Sequence, residues 1–150
     1  MSKLSRSLLA ISLPVAVMIL APMTAAADPA SLTITVGVTG TLLDPTLVRV
    51  PTEFTCAPMD VGTNQGSASL RQAVSGKVAF GSGFPQDPIV CDGTPHAVRY
   101  LIWVDTASPA PFRRGNATVQ IGAFLCPPAP TPTSSCQSGS SGIQVLGLKK

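Results

Sequence analysis

Residues 67–80 read Ser67-Ala68-Ser69-Leu70-Arg71-Gln72-Ala73-Val74-Ser75-Gly76-Lys77-Val78-Ala79-Phe80. Ala68, Leu70, Gln72 and Val74 alternate with Ser67, Ser69 and Arg71, the period of two that marks a half-buried strand. Ser75-Gly76 then separates this run from a second one, residues 77–80. Two turn residues between strand-like runs predict a tight antiparallel hairpin.

The same period extends in both directions. Upstream, residues 31–40 place Leu32, Ile34, Val36 and Val38 on one face and Thr33, Thr35 and Thr39 on the other. Asp44-Pro45 signals a turn. Residues 47–56 put Val48, Val50, Phe54 and Cys56 inward and Arg49, Glu53 and Thr55 outward. Pro51 interrupts that strand and predicts a bulge or an edge there. Residues 57–66 read as a loop.

Downstream, residues 81–88 read as a loop and residues 89–91 as a short strand. Asp92-Gly93-Thr94-Pro95 is a strong turn. Residues 96–105 form the most apolar strand, with Val98, Tyr100, Ile102 and Val104 inward and Leu101 and Trp103 on the opposite face. Residues 107–111 are a Pro-rich turn. Residues 117–125 are a strand with Val119, Ile121 and Ala123 inward. Residues 126–142, rich in Pro, Ser and Thr, read as a long irregular loop. Residues 143–148 form a last strand whose facing the pattern does not assign. Beyond the leader discussed next, no segment has helical periodicity. Seven or eight short strands therefore predict an all-β antiparallel sandwich.

Residues 1–27 have the layout of a secretory signal peptide. Lys3 and Arg6 are the basic region, residues 8–20 are the apolar run, and Ala25, Ala26 and Ala27 give a small-residue cleavage site before Asp28. The apolar run falls short of the ~20 residues a bilayer requires. The expectation is a single exported domain over residues 28–150, secreted, with no membrane anchor. The whole chain has 10 Lys+Arg against 7 Asp+Glu. Cleavage near Ala27 removes Lys3 and Arg6 and leaves about +1, without the basic surplus expected of a nucleic-acid binder. Thirteen Gly, 15 Pro and only 11% charged residues argue against coiled coils and charge-rich disorder.

All four cysteines, Cys56, Cys91, Cys126 and Cys136, follow the leader. An even count in a small exported domain predicts disulfides. Of the three possible pairings, alternating strand direction favours Cys56–Cys91 and Cys126–Cys136. In the chain-entropy picture these contribute about 4 and about 3 kcal/mol. Zinc would require closely spaced ligand pairs such as C-x2-C, which are absent, and one His cannot complete a set. No metal and no cofactor are expected.

A strand ends in Cys56 and a hairpin follows. Cys91-Asp92-Gly93-Thr94-Pro95-His96 then leads into a long apolar strand. Phe112-x-x-Gly115-x-Ala117-x-Val119 opens the next strand, and Cys126 and Cys136 precede the last. This order resembles a family of small exported immunoglobulin-like proteins of bacteria, chiefly actinobacteria. The resemblance spans most of the chain after the leader. Pro51 and the Pro-rich insert after Cys126 depart from the family pattern. What the resemblance implies is an immunoglobulin-like fold and export; it carries over no catalytic residues.

His96 is the only candidate general base, with Asp92 and Thr94 nearby. A Ser or Thr nucleophile with His and Asp would make a hydrolase, but no G-x-S-x-G elbow is present. The plainer reading has His96 bonding the Asp92-Gly93 turn. Glu53, Asp92 and Asp105 lie too far apart in the strand order for paired glycosidase carboxyls. Asp60, Asp87 and Asp92 could gather at one end, although no calcium-loop motif is present; solvated loop acids are the plainer account.

Phe112, Arg113 and Arg114, with Arg99, are a candidate patch for an anionic glycan or a partner protein. Against that, Phe112 would pack over the core and leave the arginines solvated. Leu101, Trp103 and Phe124 are candidates for an exposed apolar strip. The reading is therefore a secreted, non-enzymatic binding or structural module that contacts a protein, a glycan or the cell envelope. Its rival is a carrier of a small apolar ligand, similar by fold analogy alone to the secreted chromoprotein apoproteins of actinobacteria; a hydrolase ranks third. A carrier requires a deep apolar cleft.

Overall fold

A computed structural model describes residues 32–129 and 135–150. The leader of residues 1–27 and part of the 126–142 loop lie outside the described residues. Those described contain eight strands and no helix: β1 (Thr33–Val36), β2 (Thr39–Asp44), β3 (Leu47–Thr55), β4 (Thr63–Val74), β5 (Lys77–Pro85), β6 (His96–Val104), β7 (Gly115–Cys126) and β8 (Gln137–Lys149). Accordingly, no helix among them is long and apolar enough to cross a membrane.

The expected sandwich is corrected here, because the strands close into one barrel. The ladder runs β3-β2-β8-β7-β4-β5-β6 and returns to β3. On one side β3 pairs with β6 from Leu47↔Trp103 through Phe54↔His96. On its other side lie β2, at Thr41↔Arg49, and β1, at Thr33↔Thr55, so β1 and β2 act as one broken strand. A closed ring of seven strands cannot alternate direction throughout. The parallel β2–β8 pair, Thr39↔Gly147 to Thr41↔Lys149, supplies the needed exception. Closure removes the free edges that a sandwich leaves.

The alternation gives the barrel its core. Val48, Val50, Phe54, Val98, Tyr100 and Ile102 are fully buried. The Phe54 and Tyr100 rings stack 6.2 Å apart at 12°. In β8, whose facing the pattern left open, Leu146 and Leu148 point inward while Ile143 and Val145 are exposed. Ser75 and Gly76 both take positive φ, 50° and 78°, as the predicted two-residue hairpin turn requires. Both predicted disulfides are present, Cys56–Cys91 and Cys126–Cys136, as suits an oxidising compartment.

Local expectations change in six places. Residues 63–66, read as the end of a loop, begin β4 and pair with β7 from Thr63↔Cys126. Val38 is 82% exposed because the chain leaves the ladder between β1 and β2. Pro51 sits within β3, where the β3–β6 register runs unbroken through Pro51↔Arg99. The Pro51 carbonyl accepts the Gly37 N–H at 2.9 Å, so the side of Pro51 lacking an N–H faces the β1–β2 break. Residues 89–91 form no strand beyond an isolated Met59↔Cys91 bridge. Residues 81–85 continue β5 instead of looping. There Gly81 and Gly83 let β5 press against β6, since a Cβ on either would run into the carbonyl oxygen of Trp103 or Leu101. Finally, β8 begins at Gln137, shortening the predicted loop.

Two buried glutamines tie down the barrel ends. At the end holding the Ser75-Gly76 hairpin, Gln72 accepts the Arg113 N–H at 2.8 Å and donates to the Arg113 carbonyl at 2.7 Å. At the end holding both disulfides, Gln137 accepts the Ala57 N–H at 3.0 Å and donates to its carbonyl at 2.9 Å.

Candidate functional site

Strand parity puts Arg99, Leu101 and Trp103 on the outside of β6. Across the ladder, Trp103 faces Leu47 of β3 and Ser82 of β5, and Leu101 faces Arg49 and Phe84. Trp103 is 45% exposed and Phe84 60%. They are diagonal neighbours on adjacent strands, a separation that aromatic side chains can span.

A groove of about 300 Å³ beside them is lined by Arg49, Gln86, Arg99 and Leu101. Asp87 holds Arg99 in a two-pronged ion pair, with Nε at 2.9 Å and a terminal nitrogen at 2.5 Å, while the Arg99 backbone N–H donates to the same carboxylate at 2.8 Å. These bonds, the side-chain ones foremost, lower the Asp87 pKa to about 2. The face thus combines two exposed aromatics with a fixed guanidinium–carboxylate pair. Phe84 escaped the sequence reading because the flanking glycines suggested a loop; its parity with Phe80 and Ser82 was the available signal.

The predicted four-residue patch does not assemble. Phe112 is 1% exposed and closes the hairpin end of the core, its N–H donating to the Pro45 carbonyl at 2.8 Å. Arg113 and Arg114 are exposed there and line a groove of about 610 Å³ with Leu42, Pro45, Pro111 and Lys150. Arg99 instead belongs to the β6 face. Phe124 is 44% exposed but lies on β7, opposite Gln65 and Ser138, apart from Trp103.

His96 sits at the disulfide end. Asp92 Oδ1 accepts the Thr94 N–H at 2.8 Å and the Thr94 hydroxyl at 2.6 Å. His96 Nε2 lies 2.9 Å from the same oxygen and 3.2 Å from the Thr94 hydroxyl. Led by the two Thr94 bonds, these contacts bring the Asp92 pKa down to about 2. In a hydrolytic relay the two imidazole nitrogens serve different partners. Here Nε2 meets both, the geometry of a locked turn. Gly93 completes it with φ 87° and an N–H bond to the Cys56 carbonyl at 3.0 Å.

With Asp87 committed to Arg99 and Asp92 to its turn, Asp60, Asp87 and Asp92 do not gather around a common point. Among the described residues no group of three or more His, Cys, Asp or Glu side chains is placed to hold a metal. Comparison of the chain with protein-family models, curated proteins and solved structures finds no match.

Proposed function

We propose that this is an exported, non-enzymatic binding module that engages a glycan or partner protein through the outer face of β3, β6 and β5. The observation that carries this reading is the exposure of Trp103 and Phe84 at diagonal positions on one outer face, which also carries the Arg99–Asp87 pair. Aromatic anchors bordered by ordered polar groups are what recognition surfaces require. The two disulfides support the exported part of this reading. The carrier alternative has less support, since packed side chains fill the barrel interior and the grooves lie on its outside.

Trp103 is the only tryptophan, so intrinsic emission reports directly on this face. The test is a glycan array followed by fluorescence titration of each hit, with wild type, Trp103→Ala and Phe84→Ser. The expected result is an emission shift on binding and a loss of about tenfold or more in affinity for both variants, the size of a modest hot spot. Binding that survives both substitutions would overturn the assignment.

A further inference from the structure

The charges of the described barrel are sorted along its axis. Glu53, Asp60, Asp87 and Asp92 belong to the disulfide end, where Arg99 is taken up by Asp87. Arg113, Arg114, Lys149 and Lys150 lie at the hairpin end, beside the β7–β8 pair Gly115↔Leu148. The two acids of that end keep their charge but are held in their own turns, and among the described residues neither pairs with these cations. Asp44 Oδ1 accepts both the backbone N–H and the hydroxyl of Thr46 at 2.7 Å, and Asp105 accepts the Ala107 N–H at 2.8 Å. Among the described residues, Arg113 and Arg114 make no ion pair.

These two arginines project from a fixed backbone. Gln72 clamps both backbone polar groups of Arg113, and buried Phe112 anchors the preceding residue to Pro45. Their groove, about 610 Å³, also holds Lys150 and the exposed rings of Pro45 and Pro111. That volume lies in the ~300–1,000 Å³ range of sites for ligands of several rings and far exceeds what a single ion fills. Guanidinium forks suit carboxylate and sulfate groups, and proline rings offer apolar surface to the C–H faces of sugars.

We infer that the hairpin end binds an anionic polysaccharide, with Arg113, Arg114 and Lys150 meeting its charged groups and Pro45 and Pro111 supporting its rings. This site is separate from the Trp103 face and stands whether or not that face binds anything. A nucleic acid would call for a basic surface spanning many phosphates, whereas the opposite end of this barrel is acidic.

The test is calorimetric titration with polygalacturonate, dextran sulfate, neutral dextran, sodium sulfate and duplex DNA. The two anionic polysaccharides are expected to bind, and neutral dextran and sulfate to bind at least about tenfold more weakly. Affinity should fall steeply as salt rises to about 0.3 M. Arg113→Ala/Arg114→Ala, or Arg113→Gln/Arg114→Gln if the first folds poorly, should lose about tenfold or more, the equivalent of one charge-assisted hydrogen bond. Arg71→Ala/Lys77→Ala should stay within about twofold. The inference is overturned by no binding, by sulfate binding as tightly as the polymers, by DNA binding at least as tightly, or by an equal loss in Arg71→Ala/Lys77→Ala.

Discussion

The side-chain amide of Gln72, on the inner face of β4, pairs with both backbone polar groups of Arg113, 41 residues away. This contact holds the segment that brings Phe112 over the hairpin end of the core. Gln72→Ala removes two part-buried hydrogen bonds to Arg113, at about 0.5–1.5 kcal/mol each, and empties the buried site of the Gln72 side chain. We expect a loss of about 2–4 kcal/mol in urea unfolding. Gln72→Glu should also destabilise, because a carboxylate cannot donate to the Arg113 carbonyl. A loss below about 0.5 kcal/mol for Gln72→Ala would mean the segment is held by other contacts.

Two glycine substitutions should separate sharply. Gly83→Ala drives a Cβ into the backbone of β6 and should destabilise by about 3 kcal/mol or more, at the upper end of overpacking. Gly122→Ala meets only the Gly139 carbonyl oxygen, at 3.8 Å, and should stay within about 1 kcal/mol of wild type. Similar melting temperatures for the two variants would contradict the close β5–β6 approach.

The Tyr100 hydroxyl is buried and unpartnered among the described residues. An unpaired buried hydroxyl costs about 1–3 kcal/mol, so Tyr100→Phe should be neutral or stabilising. Burial pushes the phenol up to about 12 from the usual 10. Since the folded value is the higher one, its contribution to stability is complete below pH 10 and is lost as pH rises toward 12. Tyr100 is the only tyrosine, so phenolate absorbance follows it directly. Titration near 10 in the folded protein, or clear destabilisation by Tyr100→Phe, would reveal a partner for the hydroxyl.

At acid pH the loop carboxylates decide. Asp92 and Asp87 are each lowered from 3.8 to about 2. Their folded values lie below the unfolded ones, so the stability they confer is present above about pH 4 and disappears as pH falls toward 2. Asp92→Asn should therefore melt below wild type at pH 7, and the gap should close by pH 2. A gap unchanged over that interval would remove Asp92 as its source.

The disulfides should open in order. Cys56 and Cys91 are 1% and 7% exposed, while Cys126 and Cys136 are half-buried. Mild reduction followed by alkylation and peptide mapping should label Cys126 and Cys136 first. Losing Cys56–Cys91, which spans 35 residues against 10, should cost more, about 4 against about 3 kcal/mol in the loop-entropy picture. Labelling of Cys56 and Cys91 first would contradict this order.

Much of this architecture was legible because strand facing is a local property. A period of two sends Tyr100 inward and Trp103 outward wherever β6 ends up, and Ser75-Gly76 can turn a hairpin without distant help. Gln72 shows where legibility stops. Its parity put it inside, yet nothing near it in sequence named Arg113 as its partner. Phe84 was hidden by glycines that resemble loop residues until their close contact with β6 is seen.

The sequence by itself determined the all-β class, the inner and outer faces of most strands and the favoured cysteine pairing. Only the tertiary structure decided that β3 bonds β6 along its whole length and closes a barrel instead of a sandwich. It alone set Trp103 and Phe84 on one outer face and parted Arg99 from Arg113 and Arg114. The reason is physical: alternation fixes which way a side chain points, and is the same in a barrel and a sandwich. Which strands become neighbours depends on hydrogen bonds between distant segments, which no local period encodes.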